Sequence, residues 1–332
     1  MSARAVRSWA GSGLAEVASA LGGLCRRGVP LGPLTTYRVG GPAALFVEVG
    51  NEGELERLME ALAGHAVDLL VVGKGSNLLV ADSGWPGVAI RLAGEFARIG
   101  SGGGLTAGPG AGGSPGPGRG ITAGELTAGG GAAYPVLARR ASSAGGGGME
   151  WAVGIPGSVG GAVRMNAGGH GAQTSDRLVA CRVVGLRSGT SSWRPAAALA
   201  LGYRTSSIAA SELVVEATFR LDAGDTAESN ARIAEIVSWR RANQPGGQNA
   251  GSVFTNPDGD SAGRLIEAAG LKGLRVGSAA VSAKHANFVQ ADEGGSADDV
   301  AKVVATVREQ VSRRLGVDLE VELQMLGFGA SA

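Results

Sequence analysis

The chain has few cysteines, histidines and aromatic residues, and it has no long apolar run. Two cysteines, Cys25 and Cys181, and three histidines occur in 332 residues, too few and too scattered for a disulfide framework or a zinc site. No stretch approaches the ~18 apolar residues that a membrane span needs. The 30 basic and 29 acidic side chains nearly cancel, so no net field favours nucleic acid or an anionic membrane. We therefore expect no metal, nucleic acid or membrane partner, and a reducing, cytoplasmic setting.

Glycine, by contrast, is abundant. The chain holds 59 glycines, more than twice the share expected from the average of ~7%. Eleven of them, together with three prolines, fall within residues 100–120. Because such a composition cannot pack a core, we predict a disordered segment or a long surface loop there.

The first third of the chain predicts a β-α-β unit. The apolar runs at 44–49 and 68–72 are typical of strands, and the helix between them places Leu55, Leu58 and Leu62 on one face. The residues before this unit are mostly alanine, serine and glycine with little apolar periodicity. We predict that residues 1–30 form a leader that is poorly structured or a weak helix.

The middle of the chain predicts mixed α and β structure. Residues 88–92, 178–186 and 212–221 have the composition of strands, whereas 132–143 is typical of a helix between glycine-rich turns.

From residue 224 the pattern indicates a separate α+β unit. Its clearest element is a helix capped by Ser296 and ended by Gly316. A final strand follows at 319–325, where apolar and polar residues alternate, so that Glu322 lies on a polar face.

Two glycine-rich segments could approach a ligand closely. Residues 73–77 (GKGSN) follow an apolar strand, where backbone N–H groups can face a phosphate. They match neither the Walker nor the Rossmann spacing, and the spacing alone favours an ordinary turn. Residues 155–168 contain so many small residues that either another chain segment or a flat ligand could pack against them.

Single polar residues carry little evidence by themselves. Ser252 lacks the G-x-S-x-G setting of a nucleophilic serine and is typical of a solvated turn. Arg204 could clamp a carboxylate in bidentate fashion, although surface arginines are far commoner. Glu322, Arg240 and His285 likewise favour a surface interpretation.

In combination, however, six segments resemble the UDP-N-acetylenolpyruvoylglucosamine reductases, also called UDP-N-acetylmuramate dehydrogenases. The resemblance covers about residues 31–327, and the order and spacing of the segments make it specific. The segments are 35–41 (TTYRVGG), 73–77 (GKGSN), 154–163 (GIPGSVGGAV), 201–206 (LGYRTS), 251–257 (GSVFTNP) and 319–322 (LEVE).

The resemblance implies an α+β fold with two parts. The first is an FAD-binding fold of the vanillyl-alcohol oxidase type, built from two α+β subdomains, which we place at 31–223. The second is a C-terminal α+β substrate-binding domain, which we place at 224–328. The strand that ends near Leu221 and the helix that begins near Asp225 leave no room for the extra tyrosine-bearing loop of some members, so the chain resembles the shorter subtype.

The resemblance also implies that FAD is held non-covalently by the two glycine-rich segments. The first would offer backbone N–H groups to the pyrophosphate, and the second would pass near the flavin ring. The implied contacts are Gly73, Lys74, Gly75, Ser76, Asn77, Ile155, Pro156, Gly157, Ser158, Gly160, Gly161, Ala162, Asn166 and Ala167.

The implied reaction uses NADPH to reduce FAD and then reduces UDP-N-acetylglucosamine enolpyruvate to UDP-N-acetylmuramate, in cytoplasmic peptidoglycan precursor synthesis. Ser252 matches the proton donor, Arg204 the residue that holds the substrate carboxylate, and Glu322 its acidic partner, whose pKa burial should raise. The implied substrate contacts are Tyr203, Arg204, Asn256, His285 and Arg240. We expect a monomer whose partners are small molecules.

The sequence alone does not separate this function from two others. A related FAD-dependent oxidase would act on an alcohol or a sugar, and its reduced flavin would react readily with oxygen. A non-enzymatic nucleotide-binding protein would keep the glycine-rich segments without the reaction.

Overall fold

The computed structural model describes residues 12–100 and 124–329. The glycine- and proline-rich segment predicted at 100–120 lies, except for Gly100, outside the described residues. The helices are α1 (Ser12–Leu21), α2 (Glu52–Leu62), α3 (Tyr134–Ser143), α4 (Val159–Arg164), α5 (Thr226–Asn243), α6 (Ala262–Ala268) and α7 (Ala297–Leu315). None of them has both the length and the apolar character to cross a bilayer.

Seventeen strands occur within the same described residues. They are β1 (Cys25–Pro30), β2 (Pro42–Val49), β3 (Leu69–Val71), β4 (Leu78–Val80), β5 (Trp85–Leu92), β6 (Glu125–Gly129), β7 (Gly146–Gly147), β8 (Gly168–Gly169), β9 (Ala172–Gln173), β10 (Leu178–Gly185), β11 (Ser191–Pro195), β12 (Glu212–Arg220), β13 (Asp222–Ala223), β14 (Arg275–Val276), β15 (Ala279–Val281), β16 (Val289–Ala291) and β17 (Gln324–Leu326).

The first lobe is a four-stranded sheet in the order β1-β2-β5-β3. Strands β2 and β3 both run parallel to β5, and α2 connects them, which confirms the predicted β-α-β unit. The helix begins where the side chain of Asn51 accepts from the N–H of Glu54. It buries Leu55, Leu58 and Leu62 against the sheet, as the apolar periodicity predicts.

The sequence predicts a leader up to residue 30 that is poorly structured or a weak helix; in the described part residues 12–21 form the helix α1, whereas the strand β1 was not predicted. Helix α1 buries Val17 and Leu21 completely in the core of the first lobe. Strand β1 pairs antiparallel with β2, from Cys25 opposite Val47 to Pro30 opposite Pro42. The sequence hides this because β1 lies at the edge of the sheet, where polar residues and Gly28 are tolerated.

The second lobe is an antiparallel sheet in the order β11-β10-β12-β6. Helices α3 and α4 cover it, and its core includes Tyr134, Trp151 and Phe219. Helix α5 also belongs here, since Ile233 is buried in this core. That packing differs from the prediction that the C-terminal unit starts at residue 224, because the helix buries its apolar face on the structure before it.

The C-terminal unit packs α6 and α7 against a small antiparallel sheet in the order β14-β15-β16. Helix α7 has the predicted ends: the Ser296 hydroxyl accepts from the N–H of Asp299, and Gly316 adopts the left-handed conformation that ends the helix, with φ +69°. The predicted strand at 319–325 is only partly confirmed, because regular pairing is confined to β17, which runs parallel to β4 of the first lobe.

Candidate functional site

All three units contribute to one cavity, which encloses about 440 Å³. The first lobe supplies β3 and the loop at 73–77, the second lobe supplies 154–168 and 203–214, and the C-terminal unit supplies 250–256 together with Glu322. The tertiary structure therefore brings five of the six segments that carry the resemblance to the wall of one cavity.

The loop at 73–77 offers a row of free backbone donors to this cavity. Within the described residues, none of its five N–H groups donates to a protein acceptor, although the loop lines the cavity. Gly75 has a φ of +64°, and a Cβ atom there would collide with the carbonyl oxygen of Leu34. Consecutive unpaired N–H groups beside a concave surface suit a diphosphate.

The segment at 155–167 crosses this loop closely. The Ser76 hydroxyl donates to the Pro156 carbonyl oxygen at 3.0 Å, and a side chain at Gly73 would collide with the Ser158 hydroxyl. The same hydroxyl accepts from the N–H of Gly161 at 3.2 Å and begins α4. The close chain crossing, one of the two alternatives drawn from the sequence, is therefore confirmed, and most residues of the segment also line the cavity.

Asn166 differs from the other implied FAD contacts, because it is completely buried and does not line the cavity. Its amide donates to the Gly202 carbonyl oxygen at 2.9 Å, and its carbonyl oxygen accepts from the N–H of Ser175 at 2.9 Å. Asn166 thus fixes the turn that carries Arg204 rather than facing a ligand.

Arg204 and Glu322 form the central charged pair of the cavity. Arg204 Nε donates to Glu322 Oε1 at 2.7 Å, and a terminal guanidinium nitrogen of Arg204 donates to the Gly168 carbonyl oxygen at 3.0 Å. The backbone of Arg204 is strained, with φ +56°, which is uncommon for a residue with a long side chain. Such strain marks positions where the surrounding structure dictates the direction of a side chain.

Glu322 is largely buried, with a side-chain exposure of 15%, so the polar face expected from its alternating sequence is wrong. Burial raises the pKa of its carboxyl, while the charge of Arg204 and its hydrogen bond act in the opposite direction. The carboxyl group therefore keeps its proton to a higher pH than an ordinary glutamic acid does, as the resemblance implies.

Ser252 lines the same cavity and is exposed to it. It follows Gly251, whose φ is +78°, and precedes Val253, whose carbonyl oxygen accepts from the N–H of Glu322 at 2.8 Å. The chain segments of Ser252 and Glu322 are thus hydrogen-bonded to each other, and both residues line the cavity.

The other implied substrate contacts divide into two groups. Tyr203, Arg240 and Asn256 line the cavity. The Arg204 guanidinium lies 5.1 Å from the centre of the Tyr203 ring, and burial lowers the pKa of Arg240. His285 does not line the cavity, because its ring packs edge-on against Phe288 at 4.7 Å and its Nδ1 accepts from the N–H of Asn287 at 3.3 Å.

Several cavity residues were missed by sequence reasoning. Arg164 and Glu212 line the wall formed by the second lobe, and Gln244 and Gln324 line the opposite one. Glu212 pairs with Arg194 at 2.5 Å, and this hydrogen bond lowers the pKa of the carboxyl. Polar and charged residues at the ends of helices and strands are typical of protein surfaces, so the sequence contains no signal that sets these apart.

The comparisons with known proteins indicate one family, and its members match this chain over most of its length. Residues 243–326 match the model of the C-terminal domain of UDP-N-acetylenolpyruvoylglucosamine reductase, and residues 117–192 match that of an FAD binding domain. The UDP-N-acetylenolpyruvoylglucosamine reductase 2 of Symbiobacterium thermophilum is 40% identical, over 92% of this chain and 93% of its own length. The reductase of Rubrobacter xylanophilus is also 40% identical, over 90% of this chain and 94% of its own.

A solved structure supports the same conclusion. The crystal structure of UDP-N-acetylenolpyruvylglucosamine reductase from Thermus caldophilus is 35% identical and superimposes with a TM-score of 0.74, covering 91% of this chain and 99% of that one. Together with the FAD-binding model, it confirms the predicted α+β FAD-binding fold. The free N–H groups of residues 73–77 and the small residues that line the cavity at 155–162 fit such a dinucleotide.

Proposed function

Because this chain belongs to the UDP-N-acetylenolpyruvoylglucosamine reductase family, we propose that it reduces UDP-N-acetylglucosamine enolpyruvate to UDP-N-acetylmuramate with NADPH. It is an FAD-dependent oxidoreductase. FAD, when bound, supplies the hydride chemistry. The protein supplies the binding, the orientation and the proton.

The observation that carries this proposal is the charged pair of Arg204 and Glu322 in the same cavity as Ser252. An enolpyruvyl substrate brings a carboxylate and, after it gains a hydride, an enolate that must be stabilised and protonated. A planar guanidinium can bind the carboxylate in bidentate fashion and stabilise the growing charge. Arg204 is held for this by Glu322 and by the Gly168 carbonyl oxygen.

Ser252 is the proposed proton donor to the enolate carbon. A hydroxyl is a weak acid, but an enolate carbon is a strong base and needs only a proton at the right place. The exposed position of Ser252 in the cavity supports this role. Glu322, whose pKa is raised by burial, is the proposed acidic partner.

The nucleotide part of the substrate is assigned to the opposite side of the cavity. Arg240 is the proposed partner of the diphosphate, and its guanidinium is steadied by a 2.7 Å hydrogen bond from Nε to Gln244. Tyr203 and Asn256 complete the proposed contacts. His285 is left out, because it lies behind Phe288 rather than in the cavity.

We also propose that the protein works as a monomer in the cytoplasm. Support for a reducing compartment comes from Cys25 and Cys181, both of which are free thiols in the described structure.

The test is an anaerobic titration of the bound flavin. NADPH should bleach the visible flavin band, and UDP-N-acetylglucosamine enolpyruvate should restore it. Ser252→Ala should keep the bleaching and lose the restoration, whereas Ser192→Ala, an exposed change on β11, should keep both. Bleaching that only oxygen reverses would favour the oxidase, and absence of bound flavin would favour the non-enzymatic alternative.

A further inference from the structure

We propose that Asn77 is a positioning residue that fixes where the Glu322 carboxyl lies against Arg204. The inference rests on the proposed function, because it gives Asn77 a part in the same reaction. The resemblance assigns Asn77 only to the FAD. The contacts of its side chain indicate a second task.

Asn77 holds the segment around Glu322 with two separate groups. Its side-chain amide donates to the Glu322 carbonyl oxygen at 3.1 Å, and its own backbone carbonyl oxygen accepts from the N–H of Gln324 at 3.1 Å. Directly after Asn77, β4 pairs with β17, with Leu78 opposite Gln324. The first lobe therefore holds the backbone of Glu322 through Asn77.

Val253, the residue next to Ser252, also holds the segment around Glu322. Glu322 donates its N–H to the Val253 carbonyl oxygen at 2.8 Å, and Leu323 donates to the same oxygen at 3.3 Å. Both polar backbone groups of Glu322 are thus used, one towards the Ser252 loop and one towards Asn77. The carboxyl group of Glu322 bonds to neither of these two segments, and its Oε1 accepts from Arg204 Nε at 2.7 Å.

Removal of the Asn77 amide would leave the Glu322 carbonyl oxygen without that donor, and on this side only the backbone contacts of Gln324 with Asn77 and Leu78 would remain. A displacement of the Glu322 backbone would change the short distance between Glu322 Oε1 and Arg204 Nε. Misplacement of a reacting group by ~1 Å costs about 100-fold in rate. With FAD saturating, the expected effect is therefore on the step that uses Arg204 and Glu322.

The neighbouring residue provides a matched control. Ser76 lies in the same loop and also lines the cavity, but its hydroxyl donates to Pro156 of the second lobe. Ser76 thus bonds the loop to the second lobe, whereas Asn77 bonds it to the segment around Glu322. Ser76→Ala tests the loop, whereas Asn77→Ala and the nearly isosteric Asn77→Asp, whose carboxylate cannot donate, test the hold on Glu322.

The experiment has two independent readouts. Amide hydrogen exchange of residues 320–326, measured without FAD and with FAD, should accelerate at least ~10-fold in both Asn77 variants and stay at the wild-type rate in Ser76→Ala. In the FAD-loaded enzyme, kcat for reoxidation by the enolpyruvyl substrate should fall about 10- to 100-fold in the Asn77 variants. Reduction by NADPH and the KM for the substrate should change less than ~3-fold.

The proposal is overturned if the Asn77 variants leave the exchange of 320–326 unchanged, or if weaker FAD binding alone accounts for the loss of activity. Failure of the proposed function looks different. In that case the wild-type enzyme itself is not reoxidised by the enolpyruvyl substrate, and the exchange rates still decide whether Asn77 holds the Glu322 segment.

Discussion

Arg204 and Glu322, 118 positions apart in the chain, meet at 2.7 Å between Nε and Oε1 in the wall of the cavity. Their side chains are 24% and 15% exposed, so the pair is shielded from water on most sides. This hydrogen-bonded pair is costly to break, because loss of either side chain would leave a largely buried polar group of the other without its partner. Four predictions follow from this pair and from the fold that supports it.

Arg204→Lys should lower kcat/KM for the enolpyruvyl substrate by about 100-fold, measured by steady-state kinetics. A lysine ammonium keeps the charge but cannot hold Glu322 and the Gly168 carbonyl oxygen with one rigid fork. Arg313→Lys on α7, which lies outside the cavity wall, should retain wild-type kinetics. Equal kinetics of Arg204→Lys and wild type would contradict a bidentate role.

The second prediction concerns pH. Burial raises the pKa of Glu322, so the carboxyl remains protonated above the ordinary range and loses its proton only as the pH rises through this raised value. If the protonated form is required, kcat for flavin reoxidation should fall on the alkaline side.

Glu322→Gln should remove that alkaline decline, because an amide does not titrate, and should lower kcat at its maximum, because the acidic proton is lost. Arg204→Lys should move the decline instead of removing it. A pH profile that is identical in wild type and Glu322→Gln would assign the titration to another group.

Gly75→Ala should destabilise the protein and weaken FAD binding. A side chain at this position must adopt φ +64° and would also collide with the Leu34 carbonyl oxygen, so we expect a loss of about 1–3 kcal/mol in the free energy of unfolding. Gly64→Ala is the matched control, because its φ is +75° but nothing lies within 4 Å of the added methyl group. Urea unfolding of both variants and flavin fluorescence titration measure the difference.

Leu21→Ala tests whether the segment before residue 31 belongs to the first lobe. Leu21 is completely buried, and replacing such a leucine costs about 2–5 kcal/mol in the free energy of unfolding. Ser19→Ala, an exposed change on the same helix, should be nearly neutral. Equal unfolding midpoints in the two variants would mean that α1 contributes nothing to the core.

Local sequence signals were sufficient for several of the longer helices and strands. The apolar face of α2 and the two ends of α7 follow from side-chain spacing, an N-cap serine and a glycine at the C-terminal end. Strand β1 was missed, because an edge strand lacks the apolar alternation on which such predictions depend. The candidate site came from the resemblance of six short segments rather than from any one of them.

The sequence by itself determined the family, the longer elements and the residues that meet in the Arg204–Glu322 pair. Only the tertiary structure decided which of them share the cavity. Asn166 and His285 are implied contacts that do not line the cavity and whose hydrogen bonds are made to neighbouring chain segments, whereas Arg164 and Glu212 line its wall without any motif. The reason is physical. Spacing along a chain fixes local geometry within a few residues, but burial, and with it the raised pKa of Glu322, depends on segments that are distant in sequence.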